Sequence, residues 1–99
     1  MTAQSKFLVR SQIFGENGDG LQNVYKFPNG YGASVVSHEG SYGGKRGLWE
    51  IAVLDNDNNL CYSTSITSDV IGHLNDPQMD RILGMISRLN EHGWSDEIV

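Results

Sequence analysis

An α+β fold is predicted: four or five antiparallel strands in hairpins, with one long C-terminal helix packed on one face. Three observations predict it. Phe27-Pro28-Asn29-Gly30-Tyr31 joins two β-prone runs. Asp55-Asn56-Asp57-Asn58-Asn59 joins two more. Met79, Ile82, Leu83, Ile86 and Leu89 then recur at helical spacing. One apolar stripe and one apolar sheet face each need a cover, and each can cover the other.

The first strand is expected over Phe7–Phe14, whose β-branched and aromatic content suits a strand. Gly15, Gly18 and Gly20 mark the loop that follows, and Asn23–Phe27 forms the second strand. Pro28 fixes φ at the first turn position, and Asn29-Gly30 tolerates positive φ. Tyr31–Ser37 returns as the third strand, in which Gly32 signals a bulge or a close backbone approach. Residues 38–47 hold four glycines without periodicity and read as a loop. Leu48–Leu54 is a strand with Trp49, Ile51 and Val53 on one face, and Leu60–Thr64 is its return partner.

From Ser68 the pattern turns helical. A short helical segment is expected through Ile71–Leu74, capped by Thr67 or Ser68. Asp76 as N-cap and Pro77 at the first helical position open the long helix, and Gly93 stops it. The chain of 99 residues reads as a single domain, with 1–6 and 95–99 fraying.

Composition limits the function classes. Cys61, the sole cysteine, excludes an intramolecular disulfide and any multi-cysteine zinc site, and fits a small apolar strand residue in a reducing compartment. No signal-peptide pattern or long apolar span occurs, which predicts a soluble intracellular protein without membrane contact. Residues 1–49 carry five Lys and Arg against three Asp and Glu, whereas residues 50–99 carry two against nine, within a net charge of −5. That balance disfavours duplex nucleic acid, which needs a cationic face, and leaves an acidic half able to meet a basic partner.

No catalytic, metal or cofactor set emerges. Gly40–Gly47 resembles a phosphate loop, but Lys45 is followed by Arg46 and then a strand, where a nucleotide-hydrolysing loop needs Ser or Thr and a helix. It remains a connection, a protein contact through Tyr42, Lys45 and Arg46, or a phosphate-ligand site. The Asp55–Asn59 run imitates half a calcium loop but lacks the glycine and the closing glutamate. The Gly15–Gly20 run precedes a strand, which removes the dinucleotide reading. His38, His73 and His92 have no metal-ligand spacing, and Cys61 has no cation near it in the sequence to activate it as a nucleophile. An enzyme is not expected. The aromatic set Tyr25, Tyr31, Tyr42, Trp49 and Tyr62 packs the core, or, facing outward, forms a binding surface; register decides which.

The segments Phe27–Val36 and Gly47–Asp55, together with Leu60–Tyr62 through Ile66–Leu74, resemble those of small bacteriophage accessory proteins of unknown function. The resemblance spans about residues 24–90 and implies a phage or prophage origin and residence in the host cytoplasm. It brings no cofactor and no functional residue. With small size and absent chemistry, it leads to the expectation of an interaction protein that binds and modulates a host protein, such as an inhibitor of a defence or nucleic-acid-handling system. The candidate contact residues are Tyr42, Lys45, Arg46, Tyr31 and Trp49. Two alternatives stand beside it: a binder of a phosphate-bearing nucleotide through the glycine-rich loop, and a minor virion or assembly component. A homodimer that covers the second sheet face is a further expectation.

Overall fold

The computed structural model describes residues 4–14, 20–37, 48–61, 63, 64, 66, 70–90 and 93. A 3-10 turn, Ser5–Phe7, leads into five strands: β1 (Leu8–Phe14), β2 (Gly20–Lys26), β3 (Gly32–Ser37), β4 (Trp49–Leu54) and β5 (Ile71–Leu74). One helix, α1 (Asp76–Ser87), follows. The strands form one antiparallel sheet in the order β1-β2-β3-β4-β5, so each is bonded to its neighbours in sequence. The predicted α+β architecture is the observed one.

Alternation divides the sheet into two faces. Tyr25, Ala33, Val35, Ile51, Val53 and Leu74 point to one side, where Met79, Leu83 and Ile86 of α1, with Leu89 just beyond it, close the core. Ala33, Val35, Ile51, Leu83 and Ile86 are fully buried. α1 lies chiefly over β3, β4 and β5. The opposite face carries Gln22, Val24, Lys26, Ser34 and Leu54.

Both hairpin turns form as their residues dictate. The Phe27 amide donates to Tyr31 O at 2.8 Å, the Gly30 amide donates to Phe27 O at 3.0 Å, and Gly30 takes φ +94°. In the second turn Asp55 Oδ1 accepts from the amides of Asp57 and Asn59 at 2.9 and 3.0 Å, and Asn58 takes φ +65°. Lys26 Nζ donates to Gly30 O and Asn56 O, both at 3.0 Å, tying the two tips together. Gly32 marks the close approach its position suggested: a Cβ there would stand 2.4 Å from the Tyr25 carbonyl oxygen.

Four expectations are corrected. Ile71–Leu74 is strand, not helix: Leu74 pairs with Trp49 and Ile71 with Ile51, and His73 takes φ +61°, which no helix admits. Leu60–Thr64 is not a full return strand; Leu60 makes one bridge to Leu54, the Cys61 amide donates to Val53 O at 2.8 Å, and Tyr62 lies outside the described residues. β5 takes the place beside β4. The N-cap is Asn75, not Asp76: its side chain accepts from the Gln78 amide while Gln78 Oε1 accepts from the Asn75 amide, each at 2.9 Å. This capping box satisfies two helix-entry amides reciprocally, which Asp76 inside the first turn cannot do. Finally, α1 ends at Ser87 with Arg88 as C-cap, before Gly93, whose φ of +77° belongs to a later turn.

The C-terminal end of α1 is closed from a distance. Asn29, in the first hairpin turn, donates through Nδ2 to Ile86 O at 2.9 Å and Leu89 O at 3.0 Å. Its Oδ1 accepts from the Tyr31 amide at 3.0 Å. Ile86 O already accepts from the Leu89 amide at 3.2 Å, and the turn adds a donor there and another to Leu89 O just past the helix end.

Candidate interaction surface

Of the five contact residues expected from sequence, Tyr42, Lys45 and Arg46 lie outside the described residues. Tyr31 and Trp49 are described, and the sheet separates them. Trp49 opens β4, whereas Tyr31 precedes Gly32, which pairs with Leu54 at the other end of β4. Five residues of extended chain put them about 17 Å apart. They do not form one patch.

Tyr31 is held structurally. Its hydroxyl lies 3.0 Å from the point where a Cβ on Gly93 would stand, a tight fit at a residue whose φ of +77° already favours glycine. Burial raises its pKa above the usual tyrosine range, and the negative forms of Cys61 and Asp55 add to the rise. With Asn29, Gly30, Asp55, Asn56, Cys61 and Ser63 it lines a hollow of about 400 Å³. Tyr25 is a core residue, 3% exposed, and its pKa is also raised, first by burial and then by Asp80.

Trp49 stands where the helix stops short of the sheet. Its indole Nε1 donates to Asp76 Oδ1 at 2.7 Å, fixing the ring beside the first turn of α1. Ser37 Oγ donates to Leu48 O at 3.0 Å and steadies the backbone leading into it. Because α1 lies over β3–β5, the same face of β1 and β2 is left without a helix. There, Leu8, Leu21, Asn23, Tyr25, Trp49 and Met79 line a groove of about 420 Å³, with Asp76 at its mouth. Leu8 is exposed and Leu21 and Trp49 are half-buried. Two strands spaced by about 4.8 Å leave a strip roughly 10 Å wide, which matches one helix diameter.

The opposite face holds a hollow of about 640 Å³, bounded by Val9, Arg10, Lys26, Leu54 and Leu60 and floored by Gln22, Val24 and Ser34. Gln22 Nε2 donates to Ser34 Oγ at 2.9 Å across that floor. Its cations are engaged: Lys26 by two carbonyls and Arg10 by Gln12 Oε1 at 2.9 Å. Among the described residues no group of three His, Cys, Asp or Glu side chains is placed to hold a metal ion. None of the described helices is long and apolar enough to cross a membrane.

No family model, no curated protein and no solved structure matches the chain.

Sequence reasoning found Trp49 but missed its surroundings. Leu8 and Leu21 belong to the groove because α1 lies over β3–β5, and Asp76 joins it from the first turn of α1. The single legible signal was the arithmetic of cover: one helix cannot roof five strands.

Proposed function

We propose that the chain is a small interaction protein of bacteriophage origin that binds and modulates a host protein, and that the groove beside Trp49 is its contact surface. The observation that supports this reading is the uncovered apolar strip on β1–β2, walled by α1 and anchored by an indole pinned to Asp76. Surfaces with a fixed aromatic anchor and a half-buried apolar floor carry binding energy well, because little side-chain freedom remains to be lost. The strip's width suits an amphipathic helix laid alongside α1. Asp76 gives the α1 wall a full negative charge that outweighs the half-charge at the helix N-terminus, so the partner helix carries Lys or Arg on that side.

The test uses the full chain, tagged, as bait in host extract at low and high salt. Wild type is compared with Leu21→Glu and Trp49→Ala. The expected result is one host protein held by wild type, lost from both variants, and only weakened by salt because the contact is mainly apolar. No host protein above background would defeat the reading. Equal retention by the groove variants, with loss from Lys45→Ala/Arg46→Ala, would move the contact to the 38–47 segment.

A further inference from the structure

We infer that Asn29-Gly30 is a site of spontaneous deamidation gated by the docked end of α1, and that the reaction releases that end irreversibly. In an Asn-Gly pair no Cβ hinders the following backbone nitrogen, so it reaches the side-chain amide with the least obstruction. The Gly30 nitrogen gives its proton to hydroxide and forms a bond to Asn29 Cγ. The Cγ–Nδ2 bond breaks, and Nδ2 takes a proton from water and leaves as ammonia. Water then opens the cyclic imide at either carbonyl, leaving aspartate or isoaspartate at position 29. Water is the sole co-reactant.

The fold restrains each reacting group. The Gly30 amide donates to Phe27 O at 3.0 Å, which opposes loss of its proton, and Gly30 O accepts from Lys26 Nζ at 3.0 Å. Asn29 Nδ2, the leaving group, donates to Ile86 O at 2.9 Å and Leu89 O at 3.0 Å, while Oδ1 accepts from the Tyr31 amide at 3.0 Å. Attack on Cγ requires the side chain to swing toward the Gly30 nitrogen, and that motion breaks its bonds to the end of α1. The reaction therefore proceeds while segment 86–89 is lifted from the turn, a local opening that costs less than global unfolding. Leu89, 3% exposed, is the apolar anchor that holds the segment down. The product does not close again. Aspartate lacks both donors and sets a carboxylate against the negative end of α1. Isoaspartate also lengthens the main chain within a turn closed by the Phe27 amide and Tyr31 O at 2.8 Å. The inference does not depend on the groove's having a host partner.

Peptide mapping by mass spectrometry of the full chain, held at mildly alkaline pH, tests it. Deamidation at Asn29 should be at least about tenfold slower in the folded protein than in guanidinium chloride, because opening breaks several hydrogen bonds. Asn17-Gly18, the other Asn-Gly pair, calibrates the unfolded chain, where the two should react alike. Two variants locate the gate. Leu89→Ala and Leu83→Ala each remove a buried leucine at comparable global cost, one beside the turn and one in mid-helix. Leu89→Ala should quicken reaction at Asn29 at least about tenfold, and Leu83→Ala should leave it nearer the wild-type rate. The deamidated wild-type fraction, separated by ion exchange, should show faster amide exchange at Leu89 than the intact fraction. This arm and the folded-against-unfolded comparison stand even where a variant does not fold. Equal rates in folded and unfolded protein, equal acceleration by the two variants, or unchanged exchange at Leu89 after deamidation would overturn the inference.

Discussion

Replacing Asn29 tests whether the first hairpin turn closes the helix, as its bonds to Ile86 O and Leu89 O indicate. Asn29→Ala removes both of those bonds and the one its Oδ1 accepts from the Tyr31 amide. Each is worth about 0.5–1.5 kcal/mol net, and the site is half-buried, so water recovers part of the loss. The expected cost is about 2–3 kcal/mol. Asn29→Asp separates the terms. It keeps the acceptor for Tyr31 but loses both donors, and it sets a carboxylate against the negative end of α1 for about 0.3–1 kcal/mol more. Aspartate should therefore cost at least about 1 kcal/mol despite near-identical shape. Urea unfolding gives both numbers, with an unchanged slope if only native contacts are lost. Amide exchange at Arg88 and Leu89 should quicken in both variants before the rest of α1 is affected. An Asn29→Asp protein within about 0.5 kcal/mol of wild type would refute the reasoning, since the cap would then contribute nothing.

Further predictions concern the core, the caps and pH. Leu83→Ala, at a fully buried position beneath the sheet, should cost about 2–5 kcal/mol in denaturant unfolding. Asn75→Ala should cost about 1 kcal/mol by breaking the capping box, with Asn75→Asp recovering most of it. Gly32→Val should be severely destabilising in a thermal melt, because a Cβ there meets backbone that cannot swing aside. Tyr25 and Tyr31 have pKa values raised in the folded state, so the folded protein holds their protons longer than the unfolded chain does. Their contribution is complete below the ordinary tyrosine pKa of about 10 and is lost as pH climbs from there through the raised values. Thermal melts across that range should fall more steeply for wild type than for Tyr25→Phe.

The parts of the fold carried by local chemistry were legible in the chain. Pro28-Asn29-Gly30 and the Asp55–Asn59 run announced their turns because their side chains act on their own backbone. The stripe from Met79 to Leu89 announced α1 because its period is that of the helix. Ile71–Leu74 was misread because four residues are too few to show a period, and its partner, Trp49, stands more than twenty positions earlier. The same holds for Asn29: its turn role is local and visible, whereas its grip on α1 joins residues about sixty apart. Of the proposed contact surface, Trp49 could be suspected from residue type. Its exposure could not, because that follows from where α1 comes to rest.

The meander order has a consequence for how the chain is made. Every strand neighbours its predecessor, so sheet formation can keep pace with synthesis from β1 onward. The helix is last. Until α1 has emerged, Val35, Ile51 and Val53 stand on a bare apolar face, although all three are buried in the finished protein. The vulnerable interval in the life of this molecule is therefore the time between completion of β4 and the emergence of α1. During it, chaperones, or another nascent chain at the same stage, compete with α1 for that face.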